Sequence, residues 1–377
     1  MKGRLFFISI FLNLFFSFTA FAAPSITDSP TTISHGTTIT ISGKNFGIHK
    51  DYSPNKDYLP AAWENFESGV ADRDVWMYDG PNGLQRTKDN QRRGSIYASR
   101  GTKKTETFTN VFGEEKTGGS GSFYNPNNTN SQVLFISAWC MFPIGTVDGL
   151  RGIDAQCKFI STLSVGQYGN QYWNISSFTN SSEVYLRLNF EDGRISSTPL
   201  RLNQGTINEN EWHRFDLAID TTKAYGKKVS AFYIDGKEYT NESNRYFLES
   251  PDCHSDGGYG CPREFSGSFV VRYFRTENFY VYFDDLYVNN TWARVEISEN
   301  STWNETASLH KEIQVSKIWS ENSITFTVNQ GSFQNGDTAY IFAVDENGVA
   351  SNGKKIVFSA EGQCDIARPG SVTVGAF

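Results

Sequence analysis

A short run of alternating polar residues offers the first candidate chemistry in this sequence. Tyr185, Arg187 and Asn189 are spaced two apart within residues 183–190, so they lie on one face of a predicted strand. A Tyr can exchange a proton with a substrate while Arg and Asn neutralise a carboxylate, and Arg272 lies on another predicted strand. The polar outer face of an antiparallel sheet gives the same pattern. The run therefore predicts either a catalytic group or a solvated sheet face.

A second candidate is a loop or ragged strand at residues 166–173, which reads Gly-Gln-Tyr-Gly-Asn-Gln-Tyr-Trp. Sugar rings present C–H faces that stack on aromatic planes, while amide side chains bond to hydroxyl groups. Recognition residues concentrate on loops, which favours this segment over the apolar strands. The predicted sugar-binding residues are Gln167, Tyr168, Asn170, Tyr172 and Trp173.

Composition excludes several classes of protein. The chain has 377 residues, of which 15% are aromatic and 20% are charged, too aromatic for a disordered chain. Its net charge of −7, without a basic block, argues against nucleic acid as a partner and against anionic lipid. Five His and five Cys leave few ligands for a zinc or iron site.

The N-terminus predicts export. Lys2 and Arg4 precede an apolar run from Leu5 to Phe18, and Ala20-Phe-Ala follows. This is the pattern of a secretory signal peptide cleaved after Ala22, and the run is short for the roughly 20 residues that span a bilayer. We therefore expect a secreted, periplasmic or cell-surface protein without membrane insertion.

Export permits disulfide bonds. Cys253 and Cys261 bracket a short Gly-rich loop and are predicted to pair, and Cys140 is a candidate to pair with Cys157 across two neighbouring strands. Cys364 is then left over in a polar tail, either as a free thiol or as an intermolecular link that serves covalent or self-association.

Sequence patterns typical of β-strands dominate the mature chain, so predicted strands must position the candidate residues named above. Residues 37–42, 183–190 and 323–328 alternate between apolar and polar, and residues 132–139 are strongly apolar, with Trp139 predicted to be in the core. Asp235-Gly236 after residues 229–234 is a signal for a tight hairpin. Many short strands separated by Gly, Asn and Asp turns predict an all-β fold built from sandwiches.

The two ends of the mature chain resemble one family. Residues 24–30 and the Gly-Lys-Asn-Phe-Gly turn at 43–47 are similar to the opening of an IPT/TIG domain, a small immunoglobulin-like sandwich. The matching second half comes much later in the chain, with Trp319, a strand around Ile324 and a turn at Gly348. This resemblance implies an IPT/TIG domain that is interrupted by a long insertion.

The insertion resembles the concanavalin A-like jelly rolls of lectins, laminin-G domains and glucanases. The resemblance lies in residues 210–215 (Asn-Glu-Trp-His-Arg-Phe), a strand that ends in Asp-Gly-Lys at 235–237, the opening at 63–69 and the closing at 283–288. The predicted organisation is a signal peptide at 1–22, a split IPT/TIG-like domain at 23–49 plus 289–358, a concanavalin-like jelly roll at 50–288, and a C-terminal tail at 359–377.

The jelly-roll resemblance implies several possible sites. Carbohydrate-binding modules of this type bring their first and last strands together at a structural Ca²⁺ site, which here would use Glu67, Asp284 and Asp285. The closely spaced strand carboxylates of the glucanases are missing. Polysaccharide lyases on this sandwich imply a role for Tyr185, Arg187, Asn189 and Arg272, although the signature motifs of that family are also missing.

These observations favour a secreted, non-catalytic, lectin-like protein that binds a polysaccharide or a cell-surface glycan, and the interrupted IPT/TIG organisation implies a bacterial source. A polysaccharide lyase on the same sandwich stays open as the alternative, as does a structural or adhesive surface subunit. If the protein is an enzyme, the lyase is the expected class.

Overall fold

The computed structural model of the protein describes residues 22–47, 49, 62–79, 84–101, 106–117, 122–125, 133–145, 156–164, 170–177, 184–191, 200–202, 207–220, 230–239, 265–274, 281–303 and 310–359. The description covers the backbone but not the side chains of residues 78–79, 101, 122, 124–125, 156–159, 161–164, 170–177, 184–191, 200–202, 230, 232 and 265–274. These described ranges contain β-strands and no helix, so none of their segments is a helix suited to crossing a membrane.

The strands fall into three groups along the chain. The first group is β1 (Ser25–Asp28), β2 (Thr32–Ile33) and β3 (Thr38–Lys44). The middle group is β4 (Ala62–Glu64), β5 (Met77–Asp79), β6 (Leu84–Thr87), β7 (Ala98–Gly101), β8 (Thr107–Thr109), β9 (Glu115–Thr117), β10 (Ser122–Asn125), β11 (Val133–Met141), β12 (Gln156–Ser164), β13 (Asn170–Ser177), β14 (Val184–Glu191), β15 (Leu200–Leu202), β16 (Trp212–Asp220), β17 (Ser230–Ile234), β18 (Lys237–Glu238), β19 (Phe265–Phe274) and β20 (Tyr282–Asn289). The last group is β21 (Arg294–Ser298), β22 (Lys311–Ser320), β23 (Ser323–Thr327), β24 (Thr338–Val344) and β25 (Lys354–Phe358).

The middle strands form a jelly-roll sandwich of two antiparallel sheets. The docked sheet, so named because it packs against the rest of the chain, has the order β18-β17-β16-β11-β20-β7-β6, with β4 also on β20. The distal sheet has the order β15-β14-β13-β12-β19-β10-β5. The core between them contains Leu134 and Ile136 of β11, Leu217 of β16, and Phe123 and Ile160 of the distal sheet. The predicted all-β fold is confirmed.

Strands from both ends of the chain form a second sandwich, here called the end sandwich. Its strand order is β1-β3-β23-β22-β21-β24-β25-β2, so β3 pairs with a strand that follows it by almost 280 residues (Ile41 opposite Ile324). Strand β22 belongs to both halves of this sandwich: its first four residues pair with β21, and its residues from Val315 onward pair with β23, with a bulge between Ser316 and Ile318. Membership of the IPT/TIG family stays a prediction.

The docked sheet is buried on both faces. Side chains alternate along each strand, so one set faces the jelly-roll core and the other set faces the end sandwich. In β11, Leu134 and Ile136 face the jelly-roll core. Phe135 between them packs against Trp292, just before β21, and against Ile313 of β22 in the end sandwich. The indole nitrogen of Trp292 donates to the backbone oxygen of Ile219, 3.2 Å away. The outer face of this sheet is therefore a contact between the two sandwiches.

A close backbone approach supports the same contact at a second point. Gly94, with φ of +92°, lies so near Gly331 that a Cβ atom on Gly94 would fall 1.8 Å from the Gly331 carbonyl oxygen. Any side chain at position 94 would force the two sandwiches apart. This glycine is required by the approach as well as by its backbone angle.

Candidate functional site

The predicted sugar-binding residues that the structure describes lie on one strand of the distal sheet. Asn170, Tyr172 and Trp173 belong to β13, and the antiparallel register sets Tyr172 opposite Asn189 of β14. The side chains of both strands lie outside the described residues, and so do Gln167 and Tyr168 in full. The register therefore brings the two candidate groups of the sequence analysis onto neighbouring backbones.

The residues of the lyase alternative are spread more widely. Tyr185, Arg187 and Asn189 follow one another along β14, with Arg187 opposite Asn174 of β13. Arg272 belongs to β19, which two strands, β12 and β13, separate from β14. Three strand spacings amount to about 14 Å, so the backbone of Arg272 is remote from the other three residues.

The predicted calcium ligands have other partners. Asp284 accepts a hydrogen bond from the Ser95 hydroxyl at 2.6 Å, and Asp285 forms an ion pair with Arg92, which is itself only 3% exposed. Glu67 accepts from the backbone amides of Ile96 and Tyr97 at 2.8 and 3.0 Å. The Arg92 guanidinium therefore lies beside Asp284 and Asp285, where the prediction required a Ca²⁺ ion.

The electrostatics of this acidic pair follow from burial. Desolvation raises the pKa of Asp284 well above its ordinary value, and the charge of Asp285 adds to the effect. Desolvation also raises the pKa of Asp285, to about 6, although Arg92 opposes the shift. Among the described residues no group of three or more His, Cys, Asp or Glu side chains is suited to a metal ion. As arranged, these residues do not fit a Ca²⁺ ion, and the calcium site stays a prediction.

The predicted disulfides lie mostly outside the described residues, which is the case for Cys253, Cys261 and Cys364. Cys140 is buried in β11 of the docked sheet, and Cys157 lies in β12 of the distal sheet. The sequence analysis expected these two strands to be neighbours, but they belong to opposite sheets. A bridge between them would cross the sandwich, and the pairing stays a prediction.

The best-described polar cluster lies between the sandwiches and centres on Arg214 of β16. Its guanidinium makes a two-pronged contact with Asp216 (2.9 and 3.0 Å) and another with Glu296 of β21 (2.9 and 3.0 Å). Its remaining N–H group donates to the backbone oxygen of Lys311 at 3.1 Å. All five donors of Arg214 are used, which offsets the large desolvation cost of burying this charge.

Beside this cluster is a cavity of about 90 Å³, here called the inter-sandwich cleft. Its aromatic and cationic lining is Phe135, Arg214, Tyr233, Trp292, Arg294, Trp303 and Lys311. Two turns frame the cleft: Asp235-Gly236 from the jelly roll, and Asn347-Gly348 from the end sandwich. The Asp235 and Gly236 φ angles of 52° and 78° are those of the tight hairpin turn predicted from the sequence.

The charges in the cleft perturb one another strongly. Burial alone would raise the pKa of Glu296, but the guanidinium groups of Arg214 and Arg294 outweigh it and hold this pKa well below its ordinary value. Burial lowers the pKa of Lys311, which Glu296 only partly offsets. The Lys311 ammonium lies 3.9 Å from the centre of the Trp303 ring, a favourable cation–π distance.

Sequence reasoning missed this cluster. The available signal is an Arg followed two residues later by a carboxylate, which occurs in β16 (Arg214 and Asp216) and again in β21 (Arg294 and Glu296). Taken one strand at a time, such a pattern is typical of a solvated sheet face. Only the pairing of two strands across an interface distinguishes it.

Comparisons with known proteins give a distant resemblance in fold. No protein-family model and no curated protein matches the chain. Among solved structures, it is similar to the cellulose induced protein Cip1 (12% identity, TM-score 0.38, covering 61% of this chain and 97% of that one). It is also similar to the endo-β-1,3-glucanase from Pyrococcus furiosus (12% identity, TM-score 0.37, covering 60% of this chain and 92% of that one). A third similar structure is alginate lyase vAL-1 from Chlorella virus (14% identity, TM-score 0.32, covering 57% of this chain and 93% of that one).

Proposed function

We propose that this is an exported, non-catalytic protein that binds a polysaccharide on the distal sheet of its jelly roll. The observation that carries the proposal is the difference between the two sheets. The outer face of the docked sheet packs against Trp292 and Ile313, whereas the strands of the distal sheet carry the aromatic and amide residues predicted to bind sugar. A ligand for the jelly roll therefore has the distal sheet as its platform.

The neighbouring strands β13 and β14 supply the two kinds of group that a saccharide needs. Tyr172, opposite Asn189 in the register, provides an aromatic ring for stacking, while Asn189 and Arg187 on the adjacent strand provide donors for hydroxyl or carboxylate groups. Trp173 is the next residue of the same strand and therefore belongs to the other face of the sheet. Backbones about 4.8 Å apart allow side chains of both strands to contact one sugar residue. Export, as the N-terminal segment predicts, would deliver this platform to extracellular glycans.

The test uses two single variants on a panel of neutral and acidic polysaccharides. Tyr172→Ala should weaken glycan binding about five- to tenfold, because one stacking contact is worth on the order of 1 kcal/mol. Trp173→Ala, on the other face of the same strand, should leave glycan binding unchanged. Tyr340→Ala is the matched control, since Tyr340 is a partly exposed aromatic residue of a strand in the end sandwich. Affinity is measured by calorimetry, with thermal unfolding recorded in parallel.

Three outcomes would contradict the proposal. If both variants lose several kcal/mol of unfolding free energy, the rings belong to the core and the platform is elsewhere. If wild type releases unsaturated oligosaccharides from a uronate polymer, the lyase alternative replaces simple binding, and Tyr185→Phe and Arg187→Gln become the variants to assay. If wild type binds no glycan but forms a disulfide-linked dimer through Cys364, the adhesive alternative is favoured.

A further inference from the structure

The inter-sandwich cleft contains a cationic group whose donors are only partly used. Arg294 is 9% exposed; its Nε donates to Glu296 at 2.5 Å and its Nη1 donates to the Trp292 backbone oxygen at 2.9 Å. Within the described part of the chain, its Nη2 atom has no acceptor. By contrast, every donor of neighbouring Arg214 is paired.

The charge balance of the cleft points to an anion. Three cations line it, Arg214, Arg294 and Lys311, against two carboxylates, Asp216 and Glu296. Both carboxylates are already held by guanidinium groups, so neither is available to a cation. A buried guanidinium with open donors is costly, and an anionic ligand would remove that cost.

The geometry of the open donors specifies the shape of the anion. The Nη1 and Nη2 atoms form one planar edge of a guanidinium, and this edge matches the two oxygens of a carboxylate. The flat face of Arg294 is fixed against the Phe135 ring, 4.2 Å from its centre, so the edge keeps one orientation. A cavity of about 90 Å³ has room for a carboxylate and several water molecules.

Trp303 at the mouth of the cleft indicates what the carboxylate is attached to. It is partly exposed, and its ring centre lies 5.8 Å from the Arg294 guanidinium. The Lys311 ammonium covers part of the ring, 3.9 Å from its centre. The part of the ring that stays exposed lies close to the carboxylate-binding edge and suits the C–H face of a sugar ring. We propose that the inter-sandwich cleft binds the carboxylate group of an acidic sugar, with the sugar ring against Trp303. This site is separate from the distal-sheet platform and does not depend on it.

Titration of the full-length protein tests the proposal, followed by calorimetry and by tryptophan fluorescence, since Trp292 and Trp303 line the cleft. The probes are galacturonate, galactose, acetate and sulfate at concentrations up to the millimolar range. Galacturonate should bind saturably and galactose should not, because it lacks the carboxylate. Acetate should bind more weakly than galacturonate because it lacks a ring; equal affinities would identify a general carboxylate site without a sugar contact and overturn that part.

Two variants locate the binding. Arg294→Gln should weaken galacturonate at least tenfold, the effect of losing a charge-assisted pair of hydrogen bonds, whereas Arg73→Gln, which removes the same charge from an exposed arginine, should not. Trp303→Ala should reduce the galacturonate affinity to that of acetate, and it keeps the test valid if Arg294→Gln fails to fold. No saturable binding of galacturonate or acetate, equal binding of galactose, a preference for sulfate, or full affinity in both cleft variants would overturn the proposal.

The same titration in Tyr172→Ala and Trp173→Ala separates this site from the proposed platform. Both variants should keep wild-type affinity for galacturonate in the cleft, and Tyr172→Ala should lose polysaccharide affinity. Loss of galacturonate binding in these variants would show that the monosaccharide occupies the distal sheet, and would overturn the cleft assignment. If wild type bound galacturonate but no polysaccharide of the panel, only the proposed platform on the distal sheet would be contradicted.

Discussion

Two buried ion networks join the end sandwich to the docked sheet, and their charge balances are opposite. In the first, Arg92 alone contacts three carboxylates: Asp284, Asp285 and Glu312. In the second, Arg214, Arg294 and Lys311 surround Asp216 and Glu296. Lys311 and Glu312 are consecutive residues of β22, so one strand contributes to both networks.

The difference in balance appears in the proton affinities of the carboxylates. At Arg92, burial raises the pKa of Asp285 to about 6, because one guanidinium cannot compensate for three neighbouring acids. Near Arg214, burial acts in the same direction on Glu296, but two guanidinium groups reverse it and lower the pKa. Burial therefore does not decide the direction of a shift by itself; the local ratio of cations to carboxylates does.

The two networks should respond to pH in opposite directions. A carboxyl group with a raised folded-state pKa contributes stability that is complete below its unfolded pKa of about 4 and is lost as pH rises through about 6, as for Asp285. A carboxyl group with a lowered folded-state pKa, such as Glu296, contributes stability above its unfolded pKa of about 4 that is lost on acidification.

The largest effect is expected from Glu296→Gln. Removing this charge leaves two buried guanidinium groups with one carboxylate fewer, so the free energy of unfolding should fall by about 3–5 kcal/mol. Chemical denaturation at pH 7 measures the change. Arg73→Gln, which breaks an exposed ion pair with Glu114, is the control and should match wild type. A loss no greater than that of the control would mean that the Arg214 network contributes no net stability.

A smaller effect is expected from Glu312→Gln in the other network. The remaining Oε1 atom can still accept from the Ser332 amide and hydroxyl, and Arg92 keeps Asp284 and Asp285. Loss of one charge from an excess of acids should therefore cost about 1 kcal/mol or less. The same denaturation series gives the value. A cost equal to that of Glu296→Gln would contradict the difference in charge balance.

A third effect, which depends on pH, is expected from Asp285→Asn. Asn removes the titrating group and tolerates the φ of +47° at this position. The free energy of unfolding of the variant minus that of wild type should be about 1–3 kcal/mol larger at pH 7 than at pH 4. The reason is that above pH 6 only wild type carries the cost of a charged, buried Asp285. Thermal unfolding at both pH values measures it. A wild-type pH profile in the variant would show that Asp285 does not titrate in this range.

Much of the fold could be predicted from local sequence, because period-two alternation and turn chemistry are local properties. The segment predicted at 183–190 is β14, Val184–Glu191, and the one predicted at 132–139 is β11, Val133–Met141. The closing segment at 283–288 lies within β20, Tyr282–Asn289, which pairs with both β11 and β4.

The candidate sites were harder to predict, as Trp139 illustrates. The sequence predicts a core residue, and Trp139 is indeed buried, with 6% exposure. However, the Arg92 guanidinium lies over its ring at 4.6 Å, while its neighbours Ala138 and Cys140 point into the jelly-roll core. Sequence alternation distinguishes the two faces of a strand, but it does not reveal that both faces are covered.

By itself, the sequence determined the all-β class, the positions of several long strands and the Asp235-Gly236 hairpin, because each depends on residues adjacent in the chain. Only the tertiary structure decided the roles of Arg92, Arg214 and Arg294. Their partners are remote in sequence: Arg92 and Glu312 are 220 residues apart, and Arg214 and Glu296 are 82 apart. A charged residue on a sheet face is compatible with solvent or with a buried partner, and the docking of a second sandwich selects between them.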